Sequence, residues 1–151
     1  MAQQHVAFFD ALVGYETELW NVIDARLQAD LGLTLARLGA LRVLDRRDGA
    51  CRVQDIAVDL CITVGAASKL VDRLENDDLA RRAANPGDRR SSLGSLTHDG
   101  RRAHDAGAKR LDGHLRAHLS TSFDGATVTE MTDRMVAARR QLRSPERRAN
   151  A

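Results

Sequence analysis

The sequence predicts a mainly α-helical protein with one small β-hairpin. Apolar residues recur at spacings of three, four and seven over most of the chain, which is the pattern of amphipathic helices. Aromatic residues make up only 3% of the 151 residues, which disfavours a β-sandwich. Two short strand-like segments flank Pro86 and Gly87, a pair typical of a turn. The length suits one domain with helical extensions.

The first two helices are predicted from apolar stripes and the break between them. The first helix is expected over 6–28, and Gly32 follows it as a breaker. Its stripe consists of Phe9, Leu12, Val13, Trp20, Ile23 and Leu27. Thr34 is a suitable N-cap for a second helix, which Asp48 and Gly49 end with turn chemistry.

The middle of the chain alternates short helices with the hairpin. We expect a very short strand at 51–53, a helix over 53–60, and a helix capped by Thr63. The buried positions of that last helix should be Ala67, Leu70, Val71 and Leu74. Asp78 follows where a left-handed residue is often needed, before strands at 79–84 and 91–96.

Two further helices are predicted after the hairpin. Thr97 should cap a long helix to about Ser120, with Leu111, Leu115 and Leu119 on one face. The segment 127–130 has the form of a capping box and predicts that the last helix begins there. The polar, proline-containing tail from Ser144 is expected to fray.

This order of elements is that of a winged helix-turn-helix over 34–97. The flanking segments, 1–33 and 98–151, carry apolar faces that one small module cannot cover. Pairing with a second copy would bury these faces, so we expect both segments to serve dimerisation.

Charge is concentrated although the net charge is only +2. Residues 81–102 contain six arginines and two aspartates, whereas residues 1–36 contain five acidic residues and one arginine. A concentrated basic segment indicates a local anionic partner, although such a cluster can also be a solvated face.

Several classes of protein find no support in the sequence. It has neither an apolar run long enough to span a membrane nor the profile of a signal peptide. Its two cysteines do not imply a disulfide framework. We therefore expect a cytoplasmic location. We find no Gly-rich phosphate loop, nucleophile–base pair or metal box, and therefore expect no enzymatic activity, cofactor or metal site.

Two segments resemble the MarR family of transcriptional regulators. Residues 65–75, Gly-Ala-Ala-Ser-Lys-Leu-Val-Asp-Arg-Leu-Glu, look like the family's recognition helix. Asp88-Arg89-Arg90, followed by Leu96-Thr97 and Gly100, resembles its wing signature D-x-R-x5-L-T-x-x-G. The resemblance implies a homodimer that binds a pseudo-palindromic operator, most often as a repressor released by a small ligand or an oxidant. Asp78 and Gly94 depart from the pattern, where glycine and an aliphatic residue are usual.

The resemblance and the chemistry of the side chains give a set of candidate DNA-binding residues. They are Thr63, Gly65, Ala66, Ser68, Lys69, Arg73, Asp88, Arg89 and Arg90. Lys69 offers donors for guanine, and an arginine on the wing suits a narrow minor groove.

Each assignment has a plainer alternative. Gly65 and Ala66 can be tolerated surface residues. Asp72 or Asp77 can hold Arg73 in an ion pair. Asp88 is expected to orient the Arg90 guanidinium, and the alternative is a purely structural salt bridge between them. Arg81 and Arg82 read as solvated strand residues.

Sensing residues are less well defined. The resemblance places an effector pocket between the DNA-binding module and the dimerisation helices, and Tyr15 and Trp20 could line it, although an apolar stripe is more often core. His114 and His118 are spaced as two zinc ligands without a third, and neither Cys51 nor Cys61 is predicted to be a reactive thiolate.

The alternative function is a winged-helix protein-interaction module without sequence-specific DNA binding.

Overall fold

The computed structural model describes residues 2–143, so the tail predicted to fray lies outside the described residues. The helices and strands are, in order, α1 (Ala2–Leu31), α2 (Leu35–Arg47), α3 (Val53–Leu60), α4 (Val64–Asn76), β1 (Ala80–Ala84), β2 (Ser92–Leu96), α5 (His98–Leu119) and α6 (Gly125–Arg143). The described chain divides into two compact units, one up to residue 112 and one from residue 113. No helix among the described residues is both long and apolar enough to cross a membrane.

The core of the first unit lies where α2, α3, α4 and the hairpin meet. Leu38, Leu41 and Leu44 of α2 are almost completely buried, as is Ile56 of α3. The predicted inner face of α4 is confirmed, because Ala67, Leu70, Val71 and Leu74 are all buried. Burying a leucine, isoleucine or valine side chain in this way stabilises the fold by about 1.5–3 kcal/mol, so α4 is firmly anchored in the core.

Three threonines begin helices as the sequence predicts. The Oγ1 of Thr34 accepts the Arg37 N–H at 3.2 Å, and that of Thr63 accepts the Ala66 N–H at 3.1 Å. Thr97 likewise accepts the N–H of Gly100 at 2.9 Å. These bonds satisfy amide groups that have no partner within the helix.

The hairpin is antiparallel and pairs Ala80 with Leu96. In place of the strand predicted at 51–53, the structure has a single β-bridge between Cys51 and Gly94. The N–H of Gly94 donates to the Cys51 carbonyl at 2.7 Å. A Cβ at residue 94 would lie 2.8 Å from Leu44 Cδ2, so a larger residue there would have to displace the buried Leu44 side chain. Asp78 adopts φ 56°, the left-handed conformation that the sequence predicts.

Two predictions for the outer helices are wrong. The α1 helix begins before residue 6 and ends after residue 28. Of its apolar stripe, Ile23 and Leu27 are buried in the single chain, and the other four residues are exposed. In the second unit, α6 begins at Gly125 and not at residue 127. Its N-cap is Asp124, whose Oδ1 accepts the Thr127 N–H at 2.8 Å, so the threonine read as a cap lies inside the helix.

Candidate nucleic-acid interface

The first turns of α4 present small and polar residues to solvent. Gly65 and Ala66 are exposed, Ser68 is half-buried, and Lys69 and Arg73 are exposed. A Cβ built on Gly65 meets no atom within 4 Å, so the fold itself does not require glycine there. Val64, which is not among the predicted DNA-binding residues, is 53% exposed at the first position of the helix. An exposed valine at that position can contact a thymine methyl group.

The exposed cations of α4 and the hairpin tip have no carboxylate partner in the described part of the chain. Within residues 2–143, no ion pair involves Lys69, Arg73, Arg89 or Arg90. The ion pairs considered for Arg73 are not formed: Asp72 binds Arg82, and Asp77 binds Arg37. These four cations are therefore available to an external anion.

A hydrogen-bond network shapes the hairpin tip. The buried Asn85 donates from Nδ2 to Ser91 Oγ at 2.8 Å, and its Oδ1 accepts the Gly87 N–H at 3.0 Å. The Asp88 N–H donates to the Asn85 carbonyl at 3.2 Å. Sequence reasoning missed Asn85, although an Asn-Pro-Gly run is a known turn signal. The network holds the tip in a shape that leaves its arginines exposed.

Asp88 orients Arg90 by a different contact from the one predicted. Its Oδ1 accepts the backbone N–H of Arg90 at 2.9 Å, and the guanidinium is not involved. This bond and one with Ser91 lower the pKa of Asp88 below its ordinary 3.8, and the charge of Arg52 acts in the same direction. Arg52, at the start of α3, is thus a further basic residue near the tip that the sequence did not reveal.

Arg82 is not the solvated strand residue predicted from the sequence. Its side chain is 25% exposed and forms ion pairs with Asp72 and Glu75 of α4. The prediction failed because the pairing joins residues seven to ten positions apart across a turn whose course no local pattern fixes.

A cleft of about 280 Å³ lies in the first unit beside the end of α4. It is lined by Leu31, Gly32, Leu33, Arg37, Asp77, Leu79, Ala103 and Ala106. The Arg37 guanidinium pairs with Asp77, while its Nε is buried without a hydrogen-bond partner in the described residues. Tyr15 and Trp20 do not line this cleft; they lie on α1, 44% and 45% exposed.

The other sensing candidates are not brought into sites. Cys51 is buried, and burial raises the pKa of its thiol to about 11, whereas Cys61 is exposed at the end of α3. His114 and His118 are half-buried on α5. Among the residues that the structure describes, no group of three or more His, Cys, Asp or Glu side chains could hold a metal ion.

Comparison with known proteins identifies the fold just described. Residues 31–91, which hold the helix-turn-helix and the hairpin tip, match the model of the MarR family. This segment of the chain is therefore similar to MarR-family proteins. The MarR match covers every predicted DNA-binding residue. A comparison with curated protein sequences gives no match.

Solved structures share the fold of this chain at low sequence identity. Sco3205 from Streptomyces coelicolor, solved in complex with DNA, has a TM-score of 0.83 at 22% identity, over 97% of this chain and 91% of its own. AbsC from the same organism has a TM-score of 0.80 at 24% identity, over 95% and 96%. BpsR from Bordetella bronchiseptica, whose DNA binding is regulated by 6-hydroxynicotinic acid, has 0.69 at 21%, over 85% and 98%.

Proposed function

We propose that this chain is a transcriptional regulator that binds a pseudo-palindromic duplex operator as a homodimer and acts as a repressor. One observation carries the proposal: Lys69 and Arg73 on α4, with Arg89 and Arg90 on the hairpin tip, are exposed cations without carboxylate partners in the described chain. In the proposed complex α4 enters the major groove, and the tip arginines bind the minor groove or the phosphates. The DNA complex of Sco3205 supports this reading.

Each candidate residue has a defined part in this proposal. Thr63 fixes the start of α4, and Gly65 and Ala66 let it approach the duplex. Ser68 and Lys69 contact base edges, and Arg73 contacts a phosphate. Asp88 shapes the tip that carries the two arginines.

The domain assignment is part of the same proposal. Residues 34–97 form the DNA-binding module, and 1–33 and 98–151 serve dimerisation. Support comes from α1, where Phe8, Phe9 and Trp20 are exposed in the single chain, an apolar surface that a second copy would bury. We place the protein in the cytoplasm, where a regulator meets its operator.

Binding to the promoter region adjoining its own gene tests this proposal. Fluorescence anisotropy should show saturable binding to one duplex and weaker binding to a scrambled one. Affinity should fall steeply with salt, by a log–log slope of about −0.9 for each phosphate neutralised. Arg90→Ala should weaken binding strongly, and Lys69→Ala should weaken it and relax base preference by about 1–3 kcal/mol.

Arg110→Ala is the matched control, because it removes the same charge from an arginine that already faces Asp30. Equal affinity of wild type, Arg90→Ala and Lys69→Ala would remove the proposed roles. Absence of any duplex preference would favour the alternative, a protein-interaction module.

We also propose that the cleft beside Arg37 binds a small acidic effector. The buried Nε of Arg37 offers a hydrogen-bond donor, and the cleft is otherwise mostly apolar. A carboxylate bound there would compete with Asp77, which caps the end of α4, for the Arg37 guanidinium. Regulation of BpsR by an aromatic acid supports this chemistry.

6-Hydroxynicotinic acid should raise the unfolding temperature of the wild type and lower its operator affinity, and its uncharged amide should not. Arg37→Gln should abolish both responses. If the acid and the amide act alike, the site does not recognise a carboxylate.

A further inference from the structure

Arg82 of β1 contacts α4 through four donor–acceptor pairs. Its backbone N–H donates to Glu75 Oε1 at 2.8 Å. Its Nη1 donates to Asp72 Oδ1 at 2.7 Å and to Glu75 Oε2, and its Nη2 donates to the Ser68 carbonyl at 3.4 Å. The three acceptor residues are spaced four and three apart, so they lie on one face of α4.

The neighbouring arginine shows that these contacts are specific. Arg81 is exposed, and its Nε donates to Ser95 Oγ of β2 at 3.4 Å, within the hairpin itself. Successive side chains of a strand point to opposite faces, so only Arg82 faces α4. A planar guanidinium with several donors in a fixed fork is suited to joining three acceptors, which a lysine cannot do in the same way.

We propose that Arg82 is a positioning residue that fixes the hairpin against the recognition helix without contacting DNA. The inference rests on the proposed function and adds a structural condition to it. Lys69 and the tip arginines can contact one operator at the same time only if α4 and the hairpin are held at a fixed distance and angle. Arg82 sets them, since it binds α4 from Ser68 to Glu75 while its own backbone belongs to β1.

Arg82 has a second, electrostatic effect. Asp72 and Glu75 lie on the same helix as Ser68 and Lys69, and free carboxylates there would repel phosphates. The charge of Arg82 compensates them. If only charge matters, removing the two carboxylates should raise operator affinity. If Arg82 positions the hairpin through them, their removal should lower operator affinity, so the two effects can be separated.

The experiment compares Arg82→Ala, the double variant Asp72→Asn/Glu75→Gln, and their combination. Operator affinity should fall at least ten-fold in Arg82→Ala with an unchanged salt slope. The double variant should also lose affinity although it removes negative charge, and the combination should be no worse than Arg82→Ala alone. Arg81→Ala, the matched control, should stay within two-fold of wild type.

Other outcomes would overturn the inference. A salt slope lowered by about 0.9 per protomer in Arg82→Ala would mean that Arg82 neutralises a phosphate. A gain of affinity in the double variant, or an equal loss in Arg81→Ala, would mean that charge alone matters.

Hydrogen exchange without DNA separates this inference from the proposed function. Arg82→Ala should speed exchange of the β1 amides and leave those of α2 unchanged, whether or not any duplex is bound. Unchanged β1 exchange would refute the positioning role. A wild type that binds no duplex but shows this exchange response would refute only the proposed function.

Discussion

Replacing Gly100 by alanine should destabilise the junction between the hairpin and α5. A Cβ at residue 100 would overlap the carbonyl oxygen of Leu79 and lie 2.8 Å from its carbonyl carbon. Both atoms belong to the backbone, so no side-chain rotation can relieve the clash. The same oxygen accepts the Thr97 N–H at 3.2 Å, and Thr97 in turn caps α5.

The cost can be worked out from these contacts. Loss of the Thr97–Leu79 bond costs about 1 kcal/mol, weakening of the cap about 1 kcal/mol, and overpacking about 1–3 kcal/mol. Alanine returns at most about 1 kcal/mol through its higher helix propensity. The net loss is about 2–4 kcal/mol, which lowers the unfolding midpoint of a chain of this size by roughly 5–15 °C.

Thermal unfolding followed by circular dichroism measures this loss, at one protein concentration because association shifts the midpoint. Gly65→Ala is the matched control, since a Cβ there meets nothing within 4 Å. A midpoint for Gly100→Ala within 2 °C of wild type would refute the close approach on which the reasoning depends.

Three further predictions concern single side chains. Gly65→Ala should keep or raise stability yet lower operator affinity, because open space on α4 is where the duplex approaches; unchanged affinity in anisotropy would contradict this. A thiol reagent at pH 8 should modify Cys61 rapidly and Cys51 only after unfolding, since burial raises the Cys51 pKa to about 11; rapid loss of two thiols in the native protein would be inconsistent. The pKa of Asp124 is lowered from 3.8 by hydrogen bonds from Thr127. Asp124 therefore stabilises the fold above pH 3.8, and this contribution is lost as the pH falls through the lowered pKa. An NMR titration that gives Asp124 a pKa of 3.8 or above would contradict this prediction.

Much of the fold could be predicted because it depends on local rules. Thr34, Thr63 and Thr97 cap helices, and the inner face of α4 follows from helical periodicity. The start of α6 was mispredicted since Asp124 and Thr127 both suit a cap, and only the backbone decides between them.

The candidate site was less predictable because charge partners come from distant segments. The sequence shows the basic residues but not which of them are neutralised within the fold: Arg37 meets Asp77 across forty positions. It likewise shows an apolar stripe on α1 but not what covers it, so it leaves open whether Trp20 lines a pocket or is core; in the single chain Trp20 is exposed.

Thr97 alone separates β2 from α5, and all of its polar groups are engaged; its carbonyl accepts the N–H of Arg101 at 3.0 Å. Its N–H donates to Leu79, its Oγ1 donates to the Asp78 carbonyl at 2.5 Å, and the same oxygen accepts from Gly100. These bonds fix the connection between β2 and α5, so a tilt of the first turns of α5 would tilt the hairpin with it. Five strand residues make a lever arm of roughly 17 Å, so a tilt of about 10° moves the far end by about 3 Å. That travel is close to the rise of one base pair, about 3.4 Å, so a small swing of one helix is enough to take the tip arginines out of register with the operator.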